Sequence, residues 1–375
     1  MRLFTRLQTA QPPTTRLWAA SALLAATLAA TLAACTQSAP DGTPAASAVQ
    51  KHAEAIPEAG PVTVQVCGTP VTYPHAPERA VTHDVNITEM LLFLGLQDRW
   101  VGYSGIPARK EMWAPYQSLL AARPNLSSQG MNLEAMLGVS ADFVFAGWNY
   151  GFRQGQVTPQ VLQQHDVASY VLSESCIRVG PRPQVGIEDT FADLRNLAKI
   201  FRITDQAEPQ VQALERDLQD LRARMQAKPA VQGQQGQQGQ QGQEGPTPRP
   251  RVFVYDSGQD IPMTSGRYGM PQALIEEAGG RNIFDDIASN WPHANWEDVV
   301  QRNPEWIVVV DYGEPSAQGK IEFLLRKPEL QTVDAVRRHR FITLSYAEAT
   351  PSPRNVAAAR TLAKALHPER MAVPR

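Results

Sequence analysis

Short apolar runs alternate with segments of helical spacing along most of this 375-residue chain. The apolar runs at residues 80–82 and 142–146 are separated by helical patterns, and the alternation resumes at 251–255 and 306–310. Parallel strands need long crossover connections, which are usually helices. The alternation therefore predicts the α/β fold class, with parallel sheets covered by helices.

Residues 187–228 interrupt this alternation, because they show helical spacing without an intervening strand pattern. The spacing restarts after a break at 204–205. The segment is either a strut between two lobes or two helices packed on one domain, and its central place favours the strut. We therefore predict an N-terminal lobe at 61–186, a helical linker at 187–228 and a C-terminal lobe at 251–370.

Local signals mark where some helices begin. Asn86 and Glu89 have the spacing of a capping box, which predicts a helix that opens at Asn86. Asn132 is the expected N-cap of a short helix. Thr158 and Pro159 predict another helix start, with proline in the first helical position.

The first 34 residues have the pattern of a secretory signal peptide: three arginines, an apolar run rich in Leu and Ala, then small residues. The run 32–35 ends in Cys35 and resembles the lipobox of bacterial lipoproteins. The resemblance implies that the Cys35 thiol is acylated and that the exported chain is tethered to a membrane. The alternative is an ordinary signal peptide with a chance cysteine. Residues 35–60 predict a flexible tether.

The chain has three cysteines. If lipid uses Cys35, the remaining Cys67 and Cys176 are expected to pair outside the cytoplasm. This disulfide would close a loop of roughly a hundred residues and stabilise the fold by about 4–5 kcal/mol in the chain-entropy model. The alternative is two unrelated buried thiols.

Glycine recurs at every third position from 233 to 245 among glutamines. The spacing is that of collagen, but the intervening positions lack proline. We therefore predict a disordered, dispensable Gln/Gly insertion at 229–250. The formal net charge of −2 offers no basic field for nucleic acid.

Several short motifs occur in a fixed order and together resemble the periplasmic binding proteins for iron–siderophores and cobalamin. They lie at residues 77–81, 88–91, 129–134, 264–266, 278–284 and 303–307. The resemblance implies a class III periplasmic binding protein, with two doubly wound parallel-sheet lobes joined by a long rigid helix. Because a helical link bends little, it also implies a small closure motion and a largely preformed site.

The same resemblance implies a function without chemistry. The protein would be a periplasmic, lipid-anchored monomer with no cofactor, which captures a metal chelate in the cleft between its lobes. It would deliver this cargo to an ABC permease dimer. A hydroxamate-type iron–siderophore or a corrinoid is favoured over a highly anionic tricatecholate, since few cationic residues occur in the candidate loops. The sequence does not choose among siderophores, corrinoids and haem.

Two glutamates match the positions with which the family meets arginines on the permease. The first is Glu134, and the second is Glu276, for which the neighbouring Glu277 is an alternative. An exposed carboxylate suits bidentate pairing with arginine. The alternative roles are an acid in the first turn of a helix for Glu134 and a solvated helix face for Glu276.

Aromatic residues near strand ends are the candidate walls of the cleft, because rings give a large contact area at low entropic cost. In the first lobe the predicted ligand-binding residues are Tyr103, Trp148, Asn149, Tyr150 and Phe152. In the second lobe they are Tyr255, Arg267, Trp291, Tyr312 and Tyr346. Packing in the core is the alternative for each tyrosine, and Arg267 is alternatively a surface residue.

Two other function classes fit less well. Binding of bare zinc or manganese needs several converging His, Asp or Glu side chains. The sequence offers only His83 with Asp84 in one lobe and His293 in the other, without a His-rich loop. An enzyme is not indicated, because the chain has no nucleophile elbow, P-loop or dinucleotide fingerprint.

Overall fold

The structure is a computed structural model that describes residues 60–107, 110–227 and 249–372. The predictions for the signal peptide, Cys35, the tether and the Gln/Gly insertion lie outside the described residues, except for Gly60 and residues 249–250. Within the described ranges, no helix combines the length and the apolar character that crossing a bilayer requires.

The first lobe is built on a parallel sheet behind an antiparallel hairpin. The hairpin strands are β1 (Val62–Val66) and β2 (Thr69–Tyr73). The sheet strands are β3 (Ala80–His83), β4 (Trp100–Ser104), β5 (Asn125–Ser127), β6 (Phe143–Trp148), β7 (Gly151–Phe152) and β8 (Ala168–Val171). Their order is β5-β4-β3-β6-β7, and β8 also pairs with β6. The helices are α1 (Val85–Phe93), α2 (Gln117–Ala121), α3 (Leu133–Gly138) and α4 (Pro159–Gln163).

The linker region holds two helices, α5 (Ile187–Ile200) and α6 (Thr204–Gln226). They meet at residues 201–203, where Arg202 has a positive φ of 58°. The 23 residues of α6 span about 35 Å at 1.5 Å per residue. The second half of the linker is thus one long helix, as the predicted architecture requires.

The second lobe repeats the parallel design. Its strands are β9 (Arg251–Tyr255), β10 (Arg281–Asn282), β11 (Trp306–Asp311) and β12 (Phe341–Ser345), in the order β10-β9-β11-β12. Its helices are α7 (Met270–Glu277), α8 (Trp296–Arg302), α9 (Ala317–Arg326), α10 (Asp334–Arg337), α11 (Tyr346–Ala349), α12 (Asn355–Leu366) and α13 (Pro368–Met371). The α6 helix packs against both α5 and α12, and one hydrophobic core runs from the first lobe through the linker into the second.

Both sheets are doubly wound, because the chain leaves a central strand in one direction and later returns to its other side. The change of direction falls between β3 and β6 in the first lobe and between β9 and β11 in the second. In such sheets ligands bind outside the carboxyl ends of the strands at this point. The predicted fold class is confirmed, and it fixes where a site is expected.

Two of the predicted helix starts are confirmed and one is wrong. Asn132 caps α3 by accepting a hydrogen bond from the Ala135 amide, and Thr158 caps α4. The N-cap of α1 is Asp84 rather than Asn86. Glu89 is buried and accepts a bond from the backbone N–H of Trp113 at 2.7 Å instead of closing a capping box.

The predicted pairing of Cys67 with Cys176 is confirmed, with an S–S distance of 2.03 Å. Cys67 lies at the turn of the β1–β2 hairpin. Cys176 lies in a 3-10 segment, Ser173–Arg178, that follows β8. The disulfide therefore joins the hairpin to the chain that leads from the first sheet towards the second lobe.

Candidate functional site

A cavity of about 190 Å³ lies between the two lobes, at the carboxyl ends of their strands. Four lining residues come from the first lobe: Lys110, Asn149, Tyr150 and Arg178. Six come from the second lobe: Asp256, Met263, Asn290, Trp291, Tyr312 and Tyr346. Several of them directly follow β6, β9, β11 or β12, so the doubly wound topology brings them together.

Three tyrosines of the cleft share one arrangement, in which the phenol donates its hydrogen bond to a buried carboxylate. The pairs are Tyr150 with Glu174 at 2.7 Å, Tyr312 with Asp256 at 2.6 Å and Tyr346 with Asp84 at 2.7 Å. Burial, followed by the nearby negative charge, raises the pKa of each phenol above its ordinary value. The phenols therefore stay protonated at neutral pH, and their oxygens can still accept hydrogen bonds.

Lys110 brings a positive charge into the cleft and is neutralised there. Its Nζ lies 2.8 Å from both carboxylate oxygens of Asp84 and 3.7 Å from the centroid of the Tyr346 ring. The Tyr312 ring is farther away, at 5.9 Å. The ammonium thus combines an ion pair with a cation–π contact that crosses from one lobe to the other.

Further hydrogen bonds cross the cleft and keep it narrow. The indole Nε1 of Trp291 donates to the Tyr150 oxygen at 2.8 Å. The Arg178 guanidinium donates to Oδ1 of Asn290 at 2.6 Å. Small-molecule sites usually measure about 300–1,000 Å³, so a cavity of about 190 Å³ must widen to take a metal chelate. The expectation of a preformed site does not hold for this closed arrangement.

Half of the predicted ligand residues line the cleft: Asn149, Tyr150, Trp291, Tyr312 and Tyr346. They come from both lobes, as a site between lobes requires. Asn149 has a positive φ of 65°, which turns the chain sharply at the end of β6. This turn places Asn149 and Tyr150 at the carboxyl end of the sheet.

Three other predicted residues pack in cores, and their expected place in the cleft wall was wrong. Trp148 and Phe152 lie 6.0 Å apart, between ring centroids, in the core of the first lobe. They belong to β6 and β7, so they are not part of an open loop. Tyr255 is buried in the second lobe against Trp296 and Phe323.

The last two predicted residues, Tyr103 and Arg267, do not line the cavity either. Tyr103 is half-buried and stacks on Trp100 with 5.8 Å between ring centroids. Arg267 is exposed, and its Nε donates to the backbone oxygen of Asp285 at 2.9 Å. Packing and surface roles, which the sequence left open for these residues, describe their positions.

Five lining residues are absent from the predicted set: Lys110, Arg178, Asp256, Met263 and Asn290. The carboxylates Asp84 and Asp256 directly follow β3 and β9, and this position was the available signal for them. Nothing near Arg178 or Asn290 in the sequence marks them. The expectation that few cationic groups reach the cleft therefore needs correction, although the charge of Lys110 is paired.

The two predicted docking glutamates are exposed. Glu134 lies in the first turn of α3. Glu276 lies in the last turn of α7 and accepts a hydrogen bond from Nε2 of Gln184 at 2.7 Å. Its neighbour Glu277 is held by Arg222, with 2.8 Å between Arg222 Nε and the carboxylate. Glu276 is therefore the more accessible of the two acids.

Among the described residues, no group of three His, Cys, Asp or Glu side chains is arranged to hold a metal ion. His83 is buried, and its Nδ1 lies 2.9 Å from the Ser104 hydroxyl. Burial lowers the pKa of His83 to about 4, so the ring is neutral at physiological pH. A bare-metal site built on His83 and Asp84 has no third ligand in the described part of the chain.

A family model described as periplasmic binding protein matches residues 81–347. A vitamin B12-binding protein of Pectobacterium atrosepticum is 24% identical over 234 residues, which cover 62% of this chain and 71% of the relative. A vitamin B12-binding protein of Salmonella typhimurium is 28% identical over 181 residues, or 48% of this chain and 56% of the relative.

The fold also matches solved structures. A periplasmic binding protein from Veillonella parvula has a TM-score of 0.67 and 25% identity, and the match covers 82% of this chain and 98% of that one. A periplasmic haem-binding protein from Roseiflexus sp. RS-1, in apo form, has a TM-score of 0.61 and 20% identity, with 79% and 100% covered. These matches agree with the two-lobed parallel-sheet architecture described above.

Proposed function

Because the chain belongs to the periplasmic binding protein family, we propose that it captures a metal chelate between its lobes and delivers it to an ABC permease. Members of this family are binding proteins for transport rather than enzymes. The observation that carries the proposal is the cleft, where aromatic side chains of both lobes meet at the carboxyl ends of two parallel sheets.

The protonation state of the tyrosines in the cleft favours one class of cargo. Ferric haem bound by tyrosine needs the phenolate as an axial ligand to iron. In this cleft Tyr150, Tyr312 and Tyr346 are protonated and bonded to carboxylates, so they suit contact with a ligand whose metal is already fully coordinated. Their oxygens accept hydrogen bonds from amide or hydroxyl groups. A corrinoid or a ferric hydroxamate has these properties, and the similarity to vitamin B12-binding proteins favours the corrinoid.

The finer parts of the proposal concern anchoring and docking. Acylation of Cys35 would hold the protein as a monomer at the periplasmic face of a membrane, close to the permease. Glu134 on one lobe and Glu276 on the other would then meet arginines on the two halves of the permease. The exposure of both carboxylates supports this role.

Titration of the purified protein with separate probes tests the proposal. The probes are vitamin B12, a ferric hydroxamate siderophore, ferric haem and zinc chloride. We expect saturable, calorimetrically detected binding of vitamin B12 or the ferric hydroxamate, with the cargo recovered chemically unchanged by mass spectrometry. Saturable binding of zinc alone, or chemical conversion of a chelate, would contradict it.

Two tryptophans supply a matched pair of variants. Trp291 lines the cleft, whereas Trp306 lies at the opposite, amino-terminal end of β11 and is likewise half-buried. We expect Trp291→Ala to weaken binding of the preferred probe at least tenfold, while Trp306→Ala leaves the affinity unchanged. Equal losses in the two variants would place the cargo elsewhere.

A further inference from the structure

Glu174 is a buried carboxylate that contacts both lobes without lining the cleft. It lies in the 3-10 segment Ser173–Arg178 and is 1% exposed. One oxygen accepts a hydrogen bond from the Tyr150 hydroxyl in the first lobe at 2.7 Å. The other accepts from the backbone N–H of Met270 in the second lobe at 2.9 Å, across a separation of 96 residues.

We propose that Glu174 is a positioning residue that joins the cargo-lining side chains of the first lobe to the first turn of α7 in the second lobe. This inference rests on the proposed function, because it assigns the cleft to cargo. Beyond that function, Glu174 would fix both the position of the Tyr150 side chain and the contact between the two lobes.

The start of α7 needs an acceptor from elsewhere in the protein. Its N-cap is Gly269, which has no side chain to cap the helix, and Pro271 has no backbone N–H. The N–H of Met270 is one of the groups at a helix start that lack a partner within the helix. Glu174 supplies that partner from the other lobe, through the oxygen that accepts from the Met270 N–H.

The same carboxylate orients two aromatic side chains of the cleft. Because the Tyr150 hydroxyl donates its hydrogen bond to Glu174, the phenol oxygen is left to accept from Nε1 of Trp291 at 2.8 Å. The donors therefore run in one direction, from Trp291 to Tyr150 to Glu174. A side chain at position 174 that accepts a hydrogen bond at only one atom loses one of two contacts. Either the Tyr150 hydroxyl or the Met270 N–H is then left without its acceptor.

The disulfide and the docking helix both lie close to the contacts of Glu174. The Cys67–Cys176 disulfide fixes the segment two residues beyond it. At the far end of α7, Glu276 is the proposed docking carboxylate. A short helix moves as a unit, so Glu174 connects the cleft wall and the docking position through a single element.

Asp193 provides a matched control within the same chain. It is also fully buried, and it accepts from the Tyr170 hydroxyl at 2.7 Å and the Ser173 backbone N–H at 3.1 Å. Its partners lie outside the second lobe, and none of them lines the cavity. Asp193→Asn therefore reports the cost of neutralising a buried carboxylate beside the same segment without touching the lobe contact.

The test compares Glu174→Gln with Asp193→Asn in the whole protein. Hydrogen exchange without cargo is expected to speed up at the first turn of α7 in Glu174→Gln only. Affinity for vitamin B12 or the ferric hydroxamate is expected to fall at least tenfold in Glu174→Gln and less than twofold in Asp193→Asn. Equal behaviour of the two variants in exchange or in affinity would overturn the inference.

Tyr150→Phe completes a double-mutant cycle. If Glu174 acts on cargo through Tyr150, adding Glu174→Gln to Tyr150→Phe weakens binding no further than Tyr150→Phe alone does. Additive losses would contradict the positioning role. Failure of the wild-type protein to bind any probe would refute the proposed function, while the exchange measurement would still decide whether Glu174 holds α7.

Discussion

Three buried carboxyl groups are more easily protonated in the folded protein than in an unfolded chain. Burial raises the pKa of Glu89, Glu174 and Asp193 to about 7, against the opposing effect of their hydrogen-bond donors. The stabilising contribution of such a group is complete below its unfolded pKa, near 4, and is lost as the pH rises through 7.

We therefore expect the protein to be more stable at pH 6.5 than at pH 8, with a melting temperature higher by a few degrees. The effect of His83 on stability has the opposite sign, because burial lowers its pKa to about 4. Its stabilising contribution is lost as the pH falls below 6.5. Because this window lies at or above the unfolded pKa of histidine, His83 opposes the three carboxyl groups only weakly. Differential scanning calorimetry at the two pH values measures the effect.

A matched pair of variants assigns the pH dependence to burial. Glu174→Gln is expected to reduce the difference between pH 6.5 and pH 8, because the amide does not titrate while Glu89 and Asp193 still do. The exposed Glu134 is the control, and Glu134→Gln is expected to leave the difference unchanged. A melting temperature that rises from pH 6.5 to pH 8 in the wild-type protein would contradict the pKa directions.

A shift of one or two residues at a strand end decides which of the predicted aromatic residues line the cleft. Tyr255 is the last residue of β9 and packs on the face of the sheet, whereas Tyr312 lies one residue beyond β11 and reaches the cleft. Trp148 ends β6, and Tyr150 lies two residues past it. Side chains within a strand point to the sheet faces. Sequence periodicity located these strands, but it did not fix their last residue.

A disulfide joins the hairpin formed by β1 and β2 to the rest of the first lobe. The Cys67–Cys176 disulfide spans 109 residues, and cross-links over long loops remove much entropy from the unfolded chain. We expect the Cys67→Ser/Cys176→Ser protein to lose about 2–4 kcal/mol of unfolding free energy, the usual range for such bonds. Urea denaturation followed by circular dichroism measures the loss.

The control for this experiment is the wild-type protein under reducing conditions. It is expected to match the double serine variant if the bond itself stabilises the fold. Equal stability of the oxidised wild-type protein and the double variant would show that the hairpin is held by its packing on α5. The sequence was enough to predict this pair, because the prediction needs only the number of cysteines and the expected cellular compartment.

The start of α1 shows where local signals fail. Asn86 and Glu89 have capping-box spacing, yet both side chains are buried at contacts with distant residues. Asn86 donates to the backbone oxygen of Pro351 at 2.9 Å, and Glu89 lies 3.1 Å from the Arg354 guanidinium. Both side chains bind partners in the second lobe, so the spacing of residues along the chain does not predict their contacts.

For the molecule as a whole, the alternation of strands and helices predicted both lobes, but it did not predict how tightly the lobes meet. The bond between Tyr346 and Asp84 joins residues 262 positions apart. No local pattern encodes such a separation. The architecture was therefore visible from the sequence, while the narrow cleft and its charged residues required three-dimensional contacts.

Delivery of cargo involves a surface separate from the cleft, and the docking proposal makes that separation testable. Glu134 on α3 and Glu276 on α7 are exposed and belong to different lobes. We expect Glu134→Ala/Glu276→Ala to abolish cargo uptake by cells that depend on this protein, because both halves of the permease lose their partner. Affinity for the cargo in solution is expected to remain that of the wild-type protein.

Glu297 supplies the control, since it is an exposed acid in the first turn of α8, as Glu134 is in α3. Glu297→Ala is expected to support normal uptake. If the docking variant lost uptake and affinity together, its carboxylates would act on the cleft rather than on the permease. Unimpaired uptake in the docking variant would show that delivery uses another surface.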